Sequence, residues 1–159
     1  MACRATPSVA SVLLVAEERT RTYSLSDPFT VFGQAAGLSG LEVMQKKAVW
    51  ELPQPPIAET LGFRLSEAEP GHAVFEGQPA EFHYNPIGTA HAGLAATLLD
   101  SAMGCALVTT LEPAVRWTTL ELKANFTRPI TVETGRIRCT GSIIHSSARR
   151  RSGRGAGPK

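Results

Sequence analysis

Hydrophobic residues occupy nearly every turn of one segment, residues 89–111. Its apolar side chains fall on all sides of a helical projection: Leu94, Ala95, Ala96, Leu98, Leu99, Ala102, Met103, Ala106 and Leu107. A helix that is apolar nearly all round must be buried on most sides. The segment therefore predicts a long central helix, which carries a single acidic residue, Asp100, near its middle.

Two later segments alternate between apolar and polar residues, as half-buried strands do. They cover residues 118–126 and 136–144, and residues 133–135 supply turn formers between them. This pattern predicts an antiparallel hairpin that follows the central helix.

Shorter elements precede the central helix. Ser39 and Glu42 have the spacing of a capping box, so a helix is predicted to begin at Ser39 and to end at Pro53. Strands are predicted at residues 61–67 and 73–78, with a turn at 69–71. Hairpins on either side of one buried helix indicate an α+β domain, an antiparallel sheet wrapped around a long central helix. We assign residues 1–38 to a loosely ordered leader, 39–145 to the domain and 146–159 to a basic disordered tail.

The chain's small positive charge comes from that tail. Residues 146–159 carry five positive charges and no acid, and removing them from the net +2 leaves −3 for the rest. A specific nucleic-acid-binding face is therefore not expected, although the tail could attract nucleic acid weakly and non-specifically.

Targeting and cysteine patterns add little. No run approaches the roughly 20 apolar residues of a membrane span. Residues 9–16 form a weak signal-like run, but Glu17 and Glu18 follow directly, so a cytoplasmic protein is expected. Cys3, Cys105 and Cys139 are odd in number and widely spaced, which predicts neither a disulfide framework nor a zinc site.

Asp100 is the first candidate for chemistry. A carboxylate on an otherwise apolar helix is costly if it is desolvated without partners. Such a group either reaches water at an edge or is kept for function, commonly with a raised pKa. The pattern alone does not decide between these two interpretations of Asp100.

The start of the central helix is the second candidate. Small residues at 88–93 would let a ligand approach the first-turn N–H groups, which can hold a developing oxyanion. Taken alone, a plain glycine-containing helix start is the simpler reading. Asn85 is equally a turn residue, and His91 a neutral structural histidine. Asp100 lies nine residues from His91 on a different helix face, so no metal site is predicted.

The run HYNPIGTAHAGLAATLLDSAMGCAL, residues 83–107, resembles the signature of hotdog-fold acyl-CoA thioesterases related to the phenylacetate-degradation (PaaI-like) enzymes. That signature reads Asn, a short gap, Gly-Thr-x-His-Gly-Gly, and an acidic residue nine positions after the His. Residues 118–130, TTLELKANFTRPI, resemble the strand that follows in the same family. The resemblance covers residues 39–145 and implies a hotdog fold.

The resemblance also implies catalytic roles. Asp100 would act as general base on water or as nucleophile on the thioester carbonyl, and the backbone N–H of Ala92 would bind the thioester oxygen. Asn85 would orient the water or the carbonyl. His91 would support the start of the helix, and Thr119 would help to position the water.

Substrate and assembly follow from the same resemblance. The substrate would be an acyl-CoA, hydrolysed without a cofactor or metal, and the neighbouring apolar residues suggest a medium-chain or aromatic acyl group. Gly88 and Gly93 would let it approach the backbone, and the coenzyme A phosphates would lie near Arg128 or residues 149–150. Each site would form between two subunits of a homodimer, with Asp100 of one facing Asn85 and Ala92 of the other, and dimers could pair into homotetramers.

Two departures from the family are visible. Ala92 stands where the family has Gly, so reduced activity or a shifted acyl preference is expected. Residues 146–159 contain no large apolar residue, where the family continues with two more strands. The sequence thus predicts that the C-terminal strands are missing and that sheet edges are left unpaired.

Two other functions stay open from the sequence. The first is a catalytically impaired or truncated hotdog protein that only binds acyl-CoA. The second is an enoyl-CoA hydratase, although the spacing of Asn85, Ala92-Gly93 and Asp100 fits the thioesterase pattern better.

Overall fold

The fold is built from a three-stranded sheet and a long helix that packs across it. The computed structural model describes residues 18–145. The elements in chain order are α1 (Pro28–Gln34), α2 (Gly40–Ala48), α3 (Pro56–Leu61), β1 (Phe63–Glu69), β2 (His72–Gly77), α4 (Ala92–Val108) and β3 (Ile137–Ser142). Residues 1–17 and 146–159, which include the first 17 residues of the predicted leader and the whole basic tail, lie outside the described part. The α+β class predicted from the sequence is confirmed.

The three strands form one antiparallel sheet in the order β1-β2-β3. Leu65, Phe75 and Cys139 are opposite one another in the register and point toward the core. Gly71 has φ +72° in the β1–β2 turn, a conformation that favours glycine. The predicted first hairpin is confirmed to within about two residues at each strand end, the usual scatter of such boundaries.

The predicted strand at residues 118–126 is wrong, and so is its hairpin with residues 136–144. The segment contains no strand residues, and β3 pairs with β2 instead. Leu120, which the alternation placed toward a core, is 95% exposed. Alternation indicates an extended chain that could pair, but a ladder also needs hydrogen bonds to a neighbouring strand, and within residues 18–145 this segment forms no ladder.

Helix α4 confirms the predicted central helix, although it is shorter than residues 89–111 at both ends. Its buried residues are Leu94, Leu98, Ala102, Gly104 and Ala106. The remaining surface is only half-buried, and Met103 is exposed. The expectation of burial on most sides is therefore wrong for the single chain, because the sheet covers one stripe of the helix. No helix in the described residues is long and apolar enough to cross a membrane.

Strand β3 lies directly on the backbone of α4. A Cβ built on Gly141 would lie 2.1 Å from the carbonyl oxygen of Ala102. No Cβ tolerates that distance, so only glycine lets strand and helix approach so closely.

We expect Gly141→Ala to lower the free energy of unfolding by about 3 kcal/mol, near the upper end for an overpacked core. The neighbouring atoms are helix backbone, which cannot yield as a flexible side chain would. Urea denaturation of both variants measures the effect, with Gly33→Ala as control, because a Cβ there meets nothing within 4 Å. Equal midpoints for the two variants would contradict the close strand–helix contact.

The N-terminal helices differ from the sequence prediction in extent. Ser39 and Glu42 form the predicted capping box at the start of α2, with the Ser39 backbone N–H donating to the Glu42 carboxylate at 2.8 Å. The helix ends at Ala48 rather than at Pro53, and Trp50 then adopts φ +65°. Helices α1 and α3 were not predicted, because each is too short to show a period.

Candidate active site

Asp100 lies half-buried on α4 and is bound by Thr119. The Thr119 hydroxyl donates a hydrogen bond to Asp100 Oδ1 at 2.7 Å. No residue in the described range binds Asp100 Oδ2. The carboxylate therefore has one oxygen fixed and the other available to a water or substrate atom.

The chain around Thr119 is held against the helix by Trp117. Gly104, one helical turn after Asp100, is buried, and a Cβ built on it would lie 2.2 Å from the Trp117 ring. The indole thus rests on the bare helix backbone. This contact brings Thr119 to Asp100, and the sequence analysis did not foresee it. Its only signal was a tryptophan two residues before the candidate threonine.

His91 caps the N-terminus of α4. Its Nδ1 accepts a hydrogen bond from the Gly93 N–H at 2.8 Å, and its backbone carbonyl accepts one from the Leu94 N–H at 2.9 Å. An accepting Nδ1 places the ring hydrogen of a neutral imidazole on Nε2. Gly93 makes room for this cap, because a Cβ there would lie 2.8 Å from His91 Nδ1.

The backbone N–H of Ala92 is the first amide of the helix. Ala92 is exposed, and no acceptor in residues 18–145 binds its N–H. Free first-turn N–H groups lie at the positive end of the helix dipole and bind anions or carbonyl oxygens. The Ala92 amide is thus available as a hydrogen-bond donor.

Asn85 stabilises the loop that leads into α4. Its Oδ1 accepts from the Ile87 N–H at 3.0 Å, and its Nδ2 donates to Thr89 Oγ1 at 3.1 Å. Gly88 has φ +78° in the same loop. One of the two Nδ2 hydrogens is used by Thr89, so the second is the group that could reach a substrate atom or water.

Backbone hydrogen bonds fix the start of α4 from two sides. The Ala90 N–H donates to the Ile130 carbonyl at 2.8 Å, and the His91 N–H donates to the His83 carbonyl at 2.7 Å. The buried His83 ring joins the Ala80 N–H to the Leu61 carbonyl, at 3.0 and 2.8 Å. His83 is therefore a structural histidine. Arg128, two residues before Ile130, is exposed.

The two candidate groups are not close to each other within one chain. Ala92 and Asp100 are eight residues apart on the same helix, which is about 12 Å along its axis. A surface cavity of about 360 Å³, lined in part by Trp50, Arg64 and Glu76, contains none of the candidate residues. In the single chain the candidate groups thus lie in two separate places, one at the start of α4 and one in its middle.

Cys105 is not a candidate nucleophile. Burial raises the pKa of its thiol to about 11. At neutral pH the group is therefore a protonated, unreactive thiol. Burial also raises the pKa of Cys139.

Comparisons with known proteins identify the family. A family model described as a domain of unknown function, DUF4442, matches residues 46–154. No curated protein matches the sequence significantly.

Three solved structures illustrate the structural likeness. A mutant of the phenylacetic acid degradation protein PaaI from Thermus thermophilus is 33% identical, with a TM-score of 0.52 over 59% of this chain and 77% of that one. A thioesterase family protein from Silicibacter pomeroyi is 27% identical, with a TM-score of 0.58 over 65% of this chain and 75% of that one. A phenylacetic acid degradation-related protein from Ralstonia eutropha, 23% identical, shares the fold with a TM-score of 0.59 over 66% of this chain and 80% of that one.

These matches confirm the hotdog fold and the resemblance to PaaI-like proteins. The chain belongs to the DUF4442 family and to the PaaI-like group of hotdog-fold thioesterases.

Proposed function

We propose that the protein hydrolyses acyl-CoA thioesters at a site shared by two copies of the chain. One copy contributes the Asp100 carboxylate with Thr119, and the other contributes the Ala92 N–H. One observation carries this proposal. The same helix presents a carboxylate, Asp100, fixed at one oxygen by Thr119, and a free first-turn amide about two helical turns before it.

The reaction follows from the chemistry of these groups. Asp100 Oδ2 takes a proton from a water molecule, which adds to the thioester carbonyl carbon. The oxygen that becomes negative accepts a hydrogen bond from the Ala92 N–H. The tetrahedral intermediate then collapses, the carbon–sulfur bond breaks, and coenzyme A leaves as a thiolate. Direct attack by Asp100 on the carbonyl is the alternative first step, and it would form a mixed anhydride that water then hydrolyses.

Association of two copies has support on the helix itself. The side of α4 away from the sheet is apolar but only half-buried, and Met103 is 42% exposed. Burying such a surface against a second copy is favourable because apolar area leaves water. A two-fold arrangement would place the middle of each α4 near the start of the other and would form two sites at once.

The substrate contacts are proposed from position and charge. Gly88 and Gly93 leave the backbone around the Ala92 amide accessible to a thioester. Arg128 is exposed near the Ile130–Ala90 hydrogen bond, so its guanidinium is placed to meet a coenzyme A phosphate. The acyl group would be a medium-chain or aromatic acid.

A panel of acyl-CoA substrates, assayed with a thiol-trapping reagent, tests the proposed function. We expect saturable release of coenzyme A thiol, and a dimer or tetramer in solution. The background from Cys105 is expected to be small, because a pKa of about 11 leaves about a hundredfold less thiolate than an ordinary cysteine has.

The same experiment separates the other two functions. Binding of acyl-CoA by calorimetry with no thiol release would identify a protein that only binds acyl-CoA. Formation of 3-hydroxyacyl-CoA from an enoyl-CoA would identify a hydratase. Either outcome would contradict the thioesterase proposal.

A further inference from the structure

The position of Trp117 relative to Asp100 bears on substrate choice. Trp117 rests on Gly104, and Gly104 follows Asp100 by four residues, so both lie on one face of α4. The separation along the helix axis is about 6 Å. An acyl chain that extends from a carbonyl at Asp100 toward the C-terminus of α4 would meet the indole after a few methylene groups.

The surroundings favour this direction for an apolar chain. Trp117 is 41% exposed and Met103 42%, so an aromatic ring and a thioether both present surface beside Asp100. On the other side of Asp100 the helix carries Thr97, whose hydroxyl donates to the Gly93 carbonyl at 2.8 Å. The apolar contact area lies toward Gly104, where burying methylene groups is favourable.

We propose that Trp117 is a specificity-determining residue that limits the length of the acyl chain. The inference rests on the proposed function, because it takes the reacting carbonyl to lie at Asp100. Short and medium linear acyl groups fit between Asp100 and the indole, with the end of a medium chain in contact with the ring. Longer chains collide with it.

The Trp117 indole can pack against the helix because residue 104 is glycine. Ring atoms of Trp117 lie 2.2 and 2.7 Å from the position of a Cβ on residue 104, so any larger residue there must displace the ring. Gly104→Ala should therefore alter chain-length preference in the same direction as truncating the tryptophan, without removing an aromatic group from the chain.

The kinetic test compares kcat/KM for butanoyl-CoA and dodecanoyl-CoA in wild type, Trp117→Ala and Gly104→Ala. Opening the space should raise the dodecanoyl-to-butanoyl ratio by about tenfold or more, a discrimination typical of a few methylene groups. Trp117→Phe should give an intermediate ratio. Trp50→Ala is the matched control, because Trp50 lines the separate surface cavity, and its ratio should equal that of wild type. An unchanged ratio in active Trp117→Ala protein overturns the inference.

A binding test does not depend on turnover or on truncating Trp117. In Trp50→Phe, Trp117 is the sole tryptophan, and a non-hydrolysable hexanoyl-CoA thioether should shift its emission, whereas coenzyme A alone should not. In Trp117→Phe, the remaining Trp50 should stay silent. If calorimetry shows that the thioether binds but the Trp117 emission does not shift, the inference is overturned and the proposed function is not. If no acyl-CoA binds at all, the proposed function fails with it.

Discussion

The Asp100→Asn variant is expected to lose about 10²–10⁴-fold in kcat for acyl-CoA hydrolysis, the range that a general base contributes. Asparagine has nearly the same shape as aspartate, and its Oδ1 can still accept the Thr119 hydrogen bond seen at 2.7 Å. It cannot take a proton from water at neutral pH. Steady-state kinetics measure the loss, and thermal unfolding shows whether the fold is kept.

A nearby carboxylate provides the control for charge. Glu121 is exposed two residues after Thr119 and pairs only with Lys123 within the described residues, at 3.2 Å. Glu121→Gln removes the same charge from the same segment, and we expect its kcat to match that of wild type. Turnover at the wild-type rate by Asp100→Asn would remove this carboxylate from the mechanism.

Ala92→Pro is expected to lower kcat by about 10²–10³-fold, as does the loss of one oxyanion donor in other hydrolases. Ala92 is the first residue of α4, a position that tolerates proline because its N–H has no partner within the helix. His91 has ψ +136°, which suits a residue before proline. The substitution thus deletes one amide hydrogen and leaves the helix in place.

The proline variant has two informative controls. Ala92→Gly keeps the amide and widens the approach, so it should show a higher kcat or a shifted acyl preference, and unchanged kinetics would contradict the expected effect of Ala92. Refolding equal amounts of Ala92→Pro and Asp100→Asn chains together should restore about a quarter of wild-type activity, since half of the dimers would be mixed and each mixed dimer would have one intact site. Absence of any recovery would contradict a site shared between copies.

Local patterns predicted the elements whose residues interact over short distances. The capping box of Ser39 and Glu42, the turn at Gly71 and the presence of α4 all follow from chemistry within a few positions, although α4 is shorter than predicted. The same holds for His91 at the helix start. Residues 118–126 show the limit of such patterns, because an alternating sequence does not say which edge, if any, will pair with it.

The candidate site could be predicted only in part for the same reason. The spacing from Asn85 to Asp100 indicated the candidate residues, and the structure brings Thr119 to Asp100. The contact between Trp117 and Gly104 joins positions 13 residues apart, and no hydrophobic periodicity in the sequence predicts it. The use of Asn85 within its own loop likewise depends on backbone geometry. The sequence indicated candidate residues, whereas tertiary contacts decide which of their groups remain free.

The cap formed by His91 has a consequence for the energetics of catalysis. The His91 ring accepts from the Gly93 amide within the same turn, and the preceding amide, that of Ala92, keeps no partner among residues 18–145. No rearrangement of this turn is needed when a carbonyl arrives. In the proposed reaction, the dipoles that would meet the developing charge are therefore oriented during folding, and their stabilisation would carry no reorganisation cost.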